Sequence, residues 1–342
     1  MDLSALVAYG WGDRWVALLT DHPDCTPARV VRHDGSALLL ATPGGVTAVP
    51  TPRGVDPAPA VGDWLACDGE RPVAVLPRAS YLRRRAAGTD TEQAIAANLD
   101  AVMLVCGLDR PVKAGRLQRG SVLAWDAGAE PIVVLTKAAL ADDVDAEVAA
   151  IEAACPGLDV LVTSVLEGSG IEQLRAATRD RTVTMLGESG AGKSSLVNAL
   201  VGDDAVATQS VRSGDAKGRH TTTARELYPL PHGGVLIDTP GTRELGLWVD
   251  PDAVAATFTD IDELAPGCRF RDCRHDAEPG CAVRAAVDAG ELAPERLDSW
   301  HSLQREVEAA ALRAHPREQR RANKRFGRMT KEAKEAAQDK RR

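Results

Sequence analysis

Residues 187–194 read Gly187-Glu188-Ser189-Gly190-Ala191-Gly192-Lys193-Ser194 and satisfy G-x-x-x-x-G-K-[ST]. Glycines let the backbone curl until successive N–H groups converge on a phosphate, and a following helix adds its partial positive charge. Lys193 is placed to reach the β- and γ-phosphates and Ser194 to ligate Mg²⁺, with Ser195 extending the nucleotide contacts into the helix. The flanks fit: Arg181–Leu186 is a short, partly β-branched run suited to a buried strand, and Ser195–Leu200 has helical apolar spacing. A chance glycine-rich turn lacks this strand–loop–helix context.

Further along, the apolar run Val235–Ile237 ends in Asp238-Thr239-Pro240-Gly241. A strand ending in D-x-x-G senses a γ-phosphate: the carboxylate holds Mg²⁺ through water and the glycine N–H meets the phosphate. Between the two motifs lies Gly218-Arg219-His220-Thr221-Thr222-Thr223, a threonine-rich loop suited to a first switch. Thr221 or Thr222 completes the Mg²⁺ shell; Thr222 is taken with Ser194 and Asp238 as the expected set. A base-reading N/T-K-x-D belongs downstream of D-x-x-G, but Asn323-Lys324-Arg325-Phe326 lacks both the Asp and a preceding strand. The candidate lies upstream, at Thr136-Lys137 after the apolar run Pro131–Leu135, with Thr163-Ser164-Val165 as the second base-side loop. The motif order is that of a circular permutation, which a compact α/β domain tolerates when its natural ends lie close together.

Cys268, Cys273, His275 and Cys281 fall within fourteen residues as C-x4-C-x-H-x5-C. Three thiolates and an imidazole so close together can close a tetrahedral shell around Zn²⁺, and four protein ligands make such a site structural, not catalytic. Unrelated free thiols are the bland reading, and the one preferred for the scattered Cys25, Cys67, Cys106 and Cys155.

Together these stretches resemble the circularly permuted GTPases of the RsgA (YjeQ) type, bacterial factors acting on the small ribosomal subunit. The resemblance spans nearly the whole chain. It rests on an N-terminal OB-like segment, Ala96-Ala97-Asn98-Leu99-Asp100, Thr136-Lys137, Gly187–Asn198, Gly218–Thr223, Asp238–Gly241 and the four-residue Cys/His motif. It implies GTP hydrolysis with one structural Zn²⁺ and a nucleotide-bound Mg²⁺. It also implies the 30S subunit and its 16S rRNA as partners, and His220 as the water-positioning residue in place of a switch glutamine, since Thr242 follows D-x-x-G. The bland reading of His220 is a switch-loop residue without a catalytic part. One position departs from the family pattern. The Asp whose carboxylate accepts hydrogen bonds from guanine N1–H and N2–H₂ is here Ala139, with Asp142 or Asp143 as conceivable substitutes.

The elements that position these residues divide into three segments. Residues 1–85 carry short β-like runs (Arg14–Thr20, Ala28–Arg32, Ala37–Ala41, Val46–Pro50, Trp64–Cys67, Val73–Leu76) with turns at Asp34-Gly35 and Gly44-Gly45. This pattern predicts a small OB-type β-barrel. Arg78–Gly88, with Arg83-Arg84-Arg85, reads as a basic flexible connector or an RNA-facing patch. Residues 86–250 alternate apolar strands (Ala101–Cys106, Pro131–Leu135, from Asp159) with helices (Arg116–Ala127, Asp143–Ala154, Ile171–Ala177), which predicts a mostly parallel sheet covered on both faces. Residues 251–342 predict helices at Asp252–Leu264 and Pro294–Ala314 around the metal motif, then a basic tail. The expected class is a multidomain α/β protein with an N-terminal OB-type β-barrel, a central circularly permuted P-loop GTPase domain and a C-terminal α-helical zinc domain.

At 342 residues, 44% apolar and 26% charged, the composition is that of a globular protein. Seven cysteines without a secretory signal argue against a disulfide framework, and no apolar run reaches the ~20 residues of a membrane span. A cytoplasmic monomer with no membrane contact is expected. The net charge of −8 is uneven: residues 317–342 carry 11 Lys/Arg against 4 Asp/Glu, a net of +7, which leaves −15 on residues 1–316. That asymmetry suits an acidic body with a basic arm aimed at a polyanion. Two other readings compete with hydrolysis on the ribosome. One is a nucleotide-dependent rRNA-binding protein with relaxed specificity and little catalytic role. The other is a P-loop ATPase or kinase, which D-T-P-G and the T-K strand end argue against.

Overall fold

The computed structural model describes residues 2–85, 92–202, 225–239 and 251–314. The switch residues Gly218–Thr223, among them His220 and Thr222, lie outside the described residues, as do Gly241, Thr242 and the basic tail.

The N-terminal segment forms β1 (Thr26–His33), β2 (Ala37–Thr42), β3 (Gly45–Pro50), β4 (Trp64–Asp68) and β5 (Arg71–Val75), all antiparallel, in the order β3-β2-β1-β4-β5. Arg14–Thr20, read above as a strand, is instead covered by a helix at Asp13–Leu19. Local β propensity misled there. Trp15 and Leu19, four apart, share one face of that helix, and Trp11 lies just before its N-cap Gly12. Trp11 and Trp15 pack with ring centroids 4.8 and 5.9 Å from Trp64, which is fully buried.

The next departure concerns Arg78–Gly88. Arg78 grips the buried Asp63 with both ends of its guanidinium (Nε–Oδ1 and Nη2–Oδ2, each 2.8 Å). Tyr81–Arg85 is then a strand, β6, paired antiparallel with β7 (Glu92–Ala97). Over residues 78–85 a paired ribbon anchored by a bidentate ion pair replaces the expected loose connector; residues 86–88 lie outside the described residues.

β8 (Ala101–Gly107), β9 (Glu130–Thr136), β10 (Asp159–Val162), β11 (Thr182–Gly187) and β13 (Val235–Asp238) are parallel, in the order β10-β9-β8-β11-β13. Their apolar runs are continuous because both faces are covered. Along β8, Ala101, Met103 and Val105 join a core with Leu174 of the helix Ile171–Thr178 and Leu196 and Leu200 of the helix Lys193–Val201. The alternate residues Val102 and Leu104 join a second core with Leu117, Val122 and Leu123 of the helix Ala114–Asp126. One strand's period-two alternation thus feeds two cores. The antiparallel β12 (Glu226–Pro229) pairs with β13 and, at Arg32↔Glu226, with β1. Barrel and parallel sheet therefore share one sheet of eleven strands.

The junction between them is polar and buried. Arg29, 1% exposed, donates to Gly62 O (3.3 Å), to Thr182 Oγ1 (3.0 Å) and to Tyr9 O. Burial pulls its guanidinium down to about 10, still protonated at neutral pH. Asn98, in the left-handed region at φ 58°, accepts from Ala79 N (2.8 Å) and donates to Gly62 O (3.1 Å), while Asp100 accepts from Thr182 N (2.7 Å). The Ala96–Asp100 motif is thus a joint tying the barrel to the first residue of β11. Gly62 has φ +95°, and a Cβ there would meet Ala97 O at 2.2 Å. Gly62→Ala should lower stability by about 2–3 kcal/mol, the range for backbone strain at a fixed joint, read as a shift in the urea midpoint. An unchanged midpoint would show that the joint yields easily.

Near the C-terminus, Asp252–Leu264 is two helices, Pro251–Thr257 and Thr259–Leu264, broken at the fully buried Phe258. The helices Ala282–Ala289 and Pro294–Ala314 follow. No helix among the described residues is long and apolar enough to cross a membrane.

Candidate nucleotide site and metal centre

The C-terminal ends of the parallel strands meet at one edge, where open α/β sheets bind ligands. β11 runs into Gly187–Ser194, β9 into Thr136-Lys137, β10 into Thr163-Ser164, and β13 ends at Asp238. The phosphate loop turns through positive φ at Gly190 (+80°) and Gly192 (+92°), and the helix Lys193–Val201 starts with Ser194 and Ser195 exposed in its first turn. Gly192 comes so close to β9 that a Cβ would lie 3.0 Å from Thr136 Oγ1. Lys193 Nζ donates to Gly187 O and Glu188 O, both at 2.6 Å, holding its ammonium over the loop. Glu188 forms an ion pair with Arg116. Ser189 and Gly190 lie exposed at the loop's tip, and Ala191 is buried beneath it.

The base-side loops are fastened to this cradle. Thr136 Oγ1 donates to Ala191 O at 2.6 Å, joining the T-K strand end directly to the phosphate loop. Thr163 N and Oγ1 both donate to Leu135 O (2.7 and 2.9 Å), and Ala138 N donates to Thr163 O (3.2 Å). Ser164 N donates to Ser169 O (2.9 Å), closing the second loop. Lys137 sits in the left-handed region (φ 60°), with Nζ 2.8 Å from Asp109 Oδ2. Hydrogen bonds from Lys137 and then Arg110 hold the Asp109 carboxyl down at about 2. Ala139 is exposed in the 3-10 turn Ala138–Leu140. Asp143, one of the two conceivable substitutes for the missing Asp, is committed elsewhere: its side chain accepts from Ala146 N (3.0 Å) and caps the helix Val144–Ala154.

Asp238 is half-buried, and that burial pushes its carboxyl up despite the nearby Lys193 charge. A carboxylate short of solvation next to a phosphate loop is suited to a divalent cation, whose charge would offset the desolvation. Three residues beside the site escaped the sequence reading: Asp109, Arg110 and Arg116. For Asp109 and Arg110 the one signal was position, just past the end of an apolar strand that ends on the ligand edge, while Arg116 lies in the helix that follows.

The second cluster is compact. The ligand atoms of Cys268, Cys273, His275 and Cys281 lie within 4.8 Å of one another. Cys268 Sγ is 3.9 Å from Cys281 Sγ and 3.6 Å from His275 Nδ1, which is 3.4 Å from Cys281 Sγ. A tetrahedral ion with bonds of about 2.0–2.3 Å sets its ligand atoms about 3.5–3.8 Å apart, so the four residues fit a metal ion. Burial lowers the His275 imidazole, keeping it neutral as a ligand must be, and its ring packs on Trp300 at 5.2 Å. Burial alone would raise the Cys268 thiol, but the backbone N–H groups of Ala282 and Val283 bring it below its ordinary value. Cys281 caps the same helix by accepting from Arg284 N.

A permuted strand order, a phosphate loop and two tethered base-side loops define a circularly permuted P-loop GTPase domain. Residues 75–248 match the sequence profile described as RsgA GTPase, and the chain belongs to that family. It is 42% identical to the small ribosomal subunit biogenesis GTPase RsgA of Streptomyces coelicolor, over 97% of this chain and 96% of that protein. The protein of the same name from Xanthomonas axonopodis pv. citri is 44% identical, over 87% and 85%. Among solved structures, YjeQ from Thermotoga maritima aligns with a TM-score of 0.60 at 25% identity, covering 82% of this chain and 98% of that one. YloQ, a circularly permuted GTPase, aligns at 0.59 and 25%, covering 83% and 96%.

Proposed function

We propose that this protein hydrolyses GTP to GDP and phosphate while bound to the 30S ribosomal subunit, assists the subunit's late maturation, and is stimulated by it. The observation that carries the reading is the Thr136 Oγ1–Ala191 O hydrogen bond, which ties a base-side loop to the phosphate loop despite the permuted chain order. The relatives named for small-subunit biogenesis support the choice of partner.

Gly187–Ser195 cradle the phosphates with backbone N–H groups and Lys193 answers the charge that develops on the β- and γ-phosphates. Ser194, Thr222 and Asp238 would hold Mg²⁺, which when bound neutralises phosphate charge. Thr136, Lys137, Thr163 and Ser164 shape the base side, Gly241 meets the γ-phosphate and His220 orients the attacking water. Cys268, Cys273, His275 and Cys281 hold one structural Zn²⁺. Residues 1–85 form the domain that grips 16S rRNA, 86–250 the permuted GTPase domain, and 251–342 the zinc domain with its basic tail. Basic segments of this kind bind RNA through phosphate contacts. The protein acts as a cytoplasmic monomer.

The test is GTP and ATP turnover, alone and with purified 30S subunits. Slow GTP hydrolysis that the subunit accelerates at least tenfold supports the reading. Equal use of ATP, or no response to the subunit, would replace it with that of a nucleotide-dependent RNA-binding protein.

A further inference from the structure

A guanine base presents two kinds of donor on its Watson–Crick edge, N1–H and the exocyclic 2-amino group. Hypoxanthine keeps N1–H and the 6-oxo group but lacks the 2-amino group. A protein tells the two apart only by placing an acceptor opposite that amino group, and a carboxylate does so best because it accepts from both donors at once. The carboxylates that the base-side loops can offer are countable here.

In the first loop, Lys137 is a donor only and is engaged by Asp109, whose carboxylate also holds Arg110. Ala138, Ala139, Leu140 and Ala141 have no polar side-chain atom. Asp143 is spent on the helix cap at Ala146 N. In the second loop, Thr163 is fully buried and bonded to Leu135 O, and Ser164 Oγ accepts from Glu167 N (3.4 Å). Two carboxylates remain, Asp142 and Glu167. Both are solvent-exposed, and neither side chain has a hydrogen-bond or ion-pair partner among the described residues. The place where a short side chain could be held rigidly against a base edge, the 3-10 turn just after Lys137, carries the methyl group of Ala139.

We infer that this site does not read the 2-amino group and that it takes guanine and hypoxanthine nucleotides with nearly equal affinity. The inference rests on the nucleotide-binding reading given above and narrows its substrate class. An unanchored surface carboxylate must lose rotamer freedom to make the contact and gains little in return, so Asp142 or Glu167 leaves selectivity below about fivefold. A fixed carboxylate at position 139 would contribute a charge-assisted hydrogen bond that hypoxanthine cannot make, a preference of about tenfold or more.

The experiment uses the full chain and displacement of N-methylanthraniloyl-GDP by GDP or IDP. The wild type is compared with Ala139→Asp, Asp142→Asn and Glu167→Gln, each checked for an unchanged thermal midpoint. Less than a fivefold GDP preference in the wild type, unchanged in Asp142→Asn and Glu167→Gln, and about tenfold or more in Ala139→Asp is the expected result. A wild-type preference of fivefold or more overturns the inference, and its loss in Asp142→Asn or Glu167→Gln would show which carboxylate reads the base. An Ala139→Asp chain that stays unselective overturns the assignment to that position. Failure of the fluorescent probe to bind at all would instead remove the nucleotide-binding reading, and this inference with it.

Discussion

Replacing Lys193 with alanine should lower GTP turnover by about 10²–10³-fold, the scale for removing one preorganised charge from a developing phosphate charge. In the structure Lys193 Nζ donates to Gly187 O and Glu188 O of its own loop. Gly187 and Glu188 are both partly exposed, so water can replace the ammonium in the variant and the fold should lose little. The helix Lys193–Val201 buries Leu196, Val197, Leu200 and Val201, and these contacts do not involve the lysine. The expected pattern is thus a large loss in turnover and nucleotide affinity with a thermal midpoint within a few degrees of the wild type. Turnover within about threefold of the wild type would show that the loop's backbone donors alone bind the phosphates. An equal collapse of midpoint and turnover would show that the lysine's bonds to its own loop are structural.

The second large effect concerns the Cys/His cluster. Zinc bound only by the folded state stabilises it in proportion to RT ln(1 + [metal]/Kd), about 2.7 kcal/mol at a hundredfold excess over Kd. The cluster organises much around itself. Cys281 caps the helix Ala282–Ala289, His275 packs on Trp300 of the helix Pro294–Ala314, and Val283 and Ala286 join the core around Phe258. Chelation should therefore release one zinc ion per chain, measured by elemental analysis, and remove a distinct low-temperature unfolding step with part of the helical signal. Cys281→Ser should reproduce both, because it removes a thiolate ligand while its hydroxyl can still accept from Arg284 N at the helix cap, so the effect reports the metal. Cys155→Ser, whose thiol is buried far along the chain and raised by burial to about 11, should leave the metal content at one. Metal-free protein with an unchanged unfolding profile would show that the ligands hold together through packing alone.

What could be read directly from the residue order was local. G-x-x-x-x-G-K-S needs eight residues whose backbone course is set by their own glycines. The C-x4-C-x-H-x5-C cluster needs fourteen residues that one small loop can gather. Apolar runs such as Ala101–Cys106 and Pro131–Leu135 announced buried parallel strands because both of their faces had to be covered. Locality also explains the errors. Arg14–Thr20 reads locally as a strand, whereas the helix Asp13–Leu19 forms because Trp15, with Trp11 just before the helix, packs on Trp64, a contact that no short window shows. Arg78 looked like one cation in a basic run, and its buried partner Asp63 is set by the barrel, not by sequence neighbourhood.

The sequence by itself determined the G-x-x-x-x-G-K-S loop, the spacing of the Cys/His cluster, the permuted motif order and the absence of a carboxylate at Ala139. Only the tertiary structure decided how these parts act on one another. It brought Asp109 to Lys137, Thr136 to Ala191, and Arg29 to Thr182 across 153 positions of chain. It also joined barrel and parallel sheet through β1 and β12. The reason is physical. A motif's internal geometry follows from backbone dihedrals a few residues apart, whereas a long-range pair forms only where the closed topology places two side chains together. No short stretch of sequence carries that information.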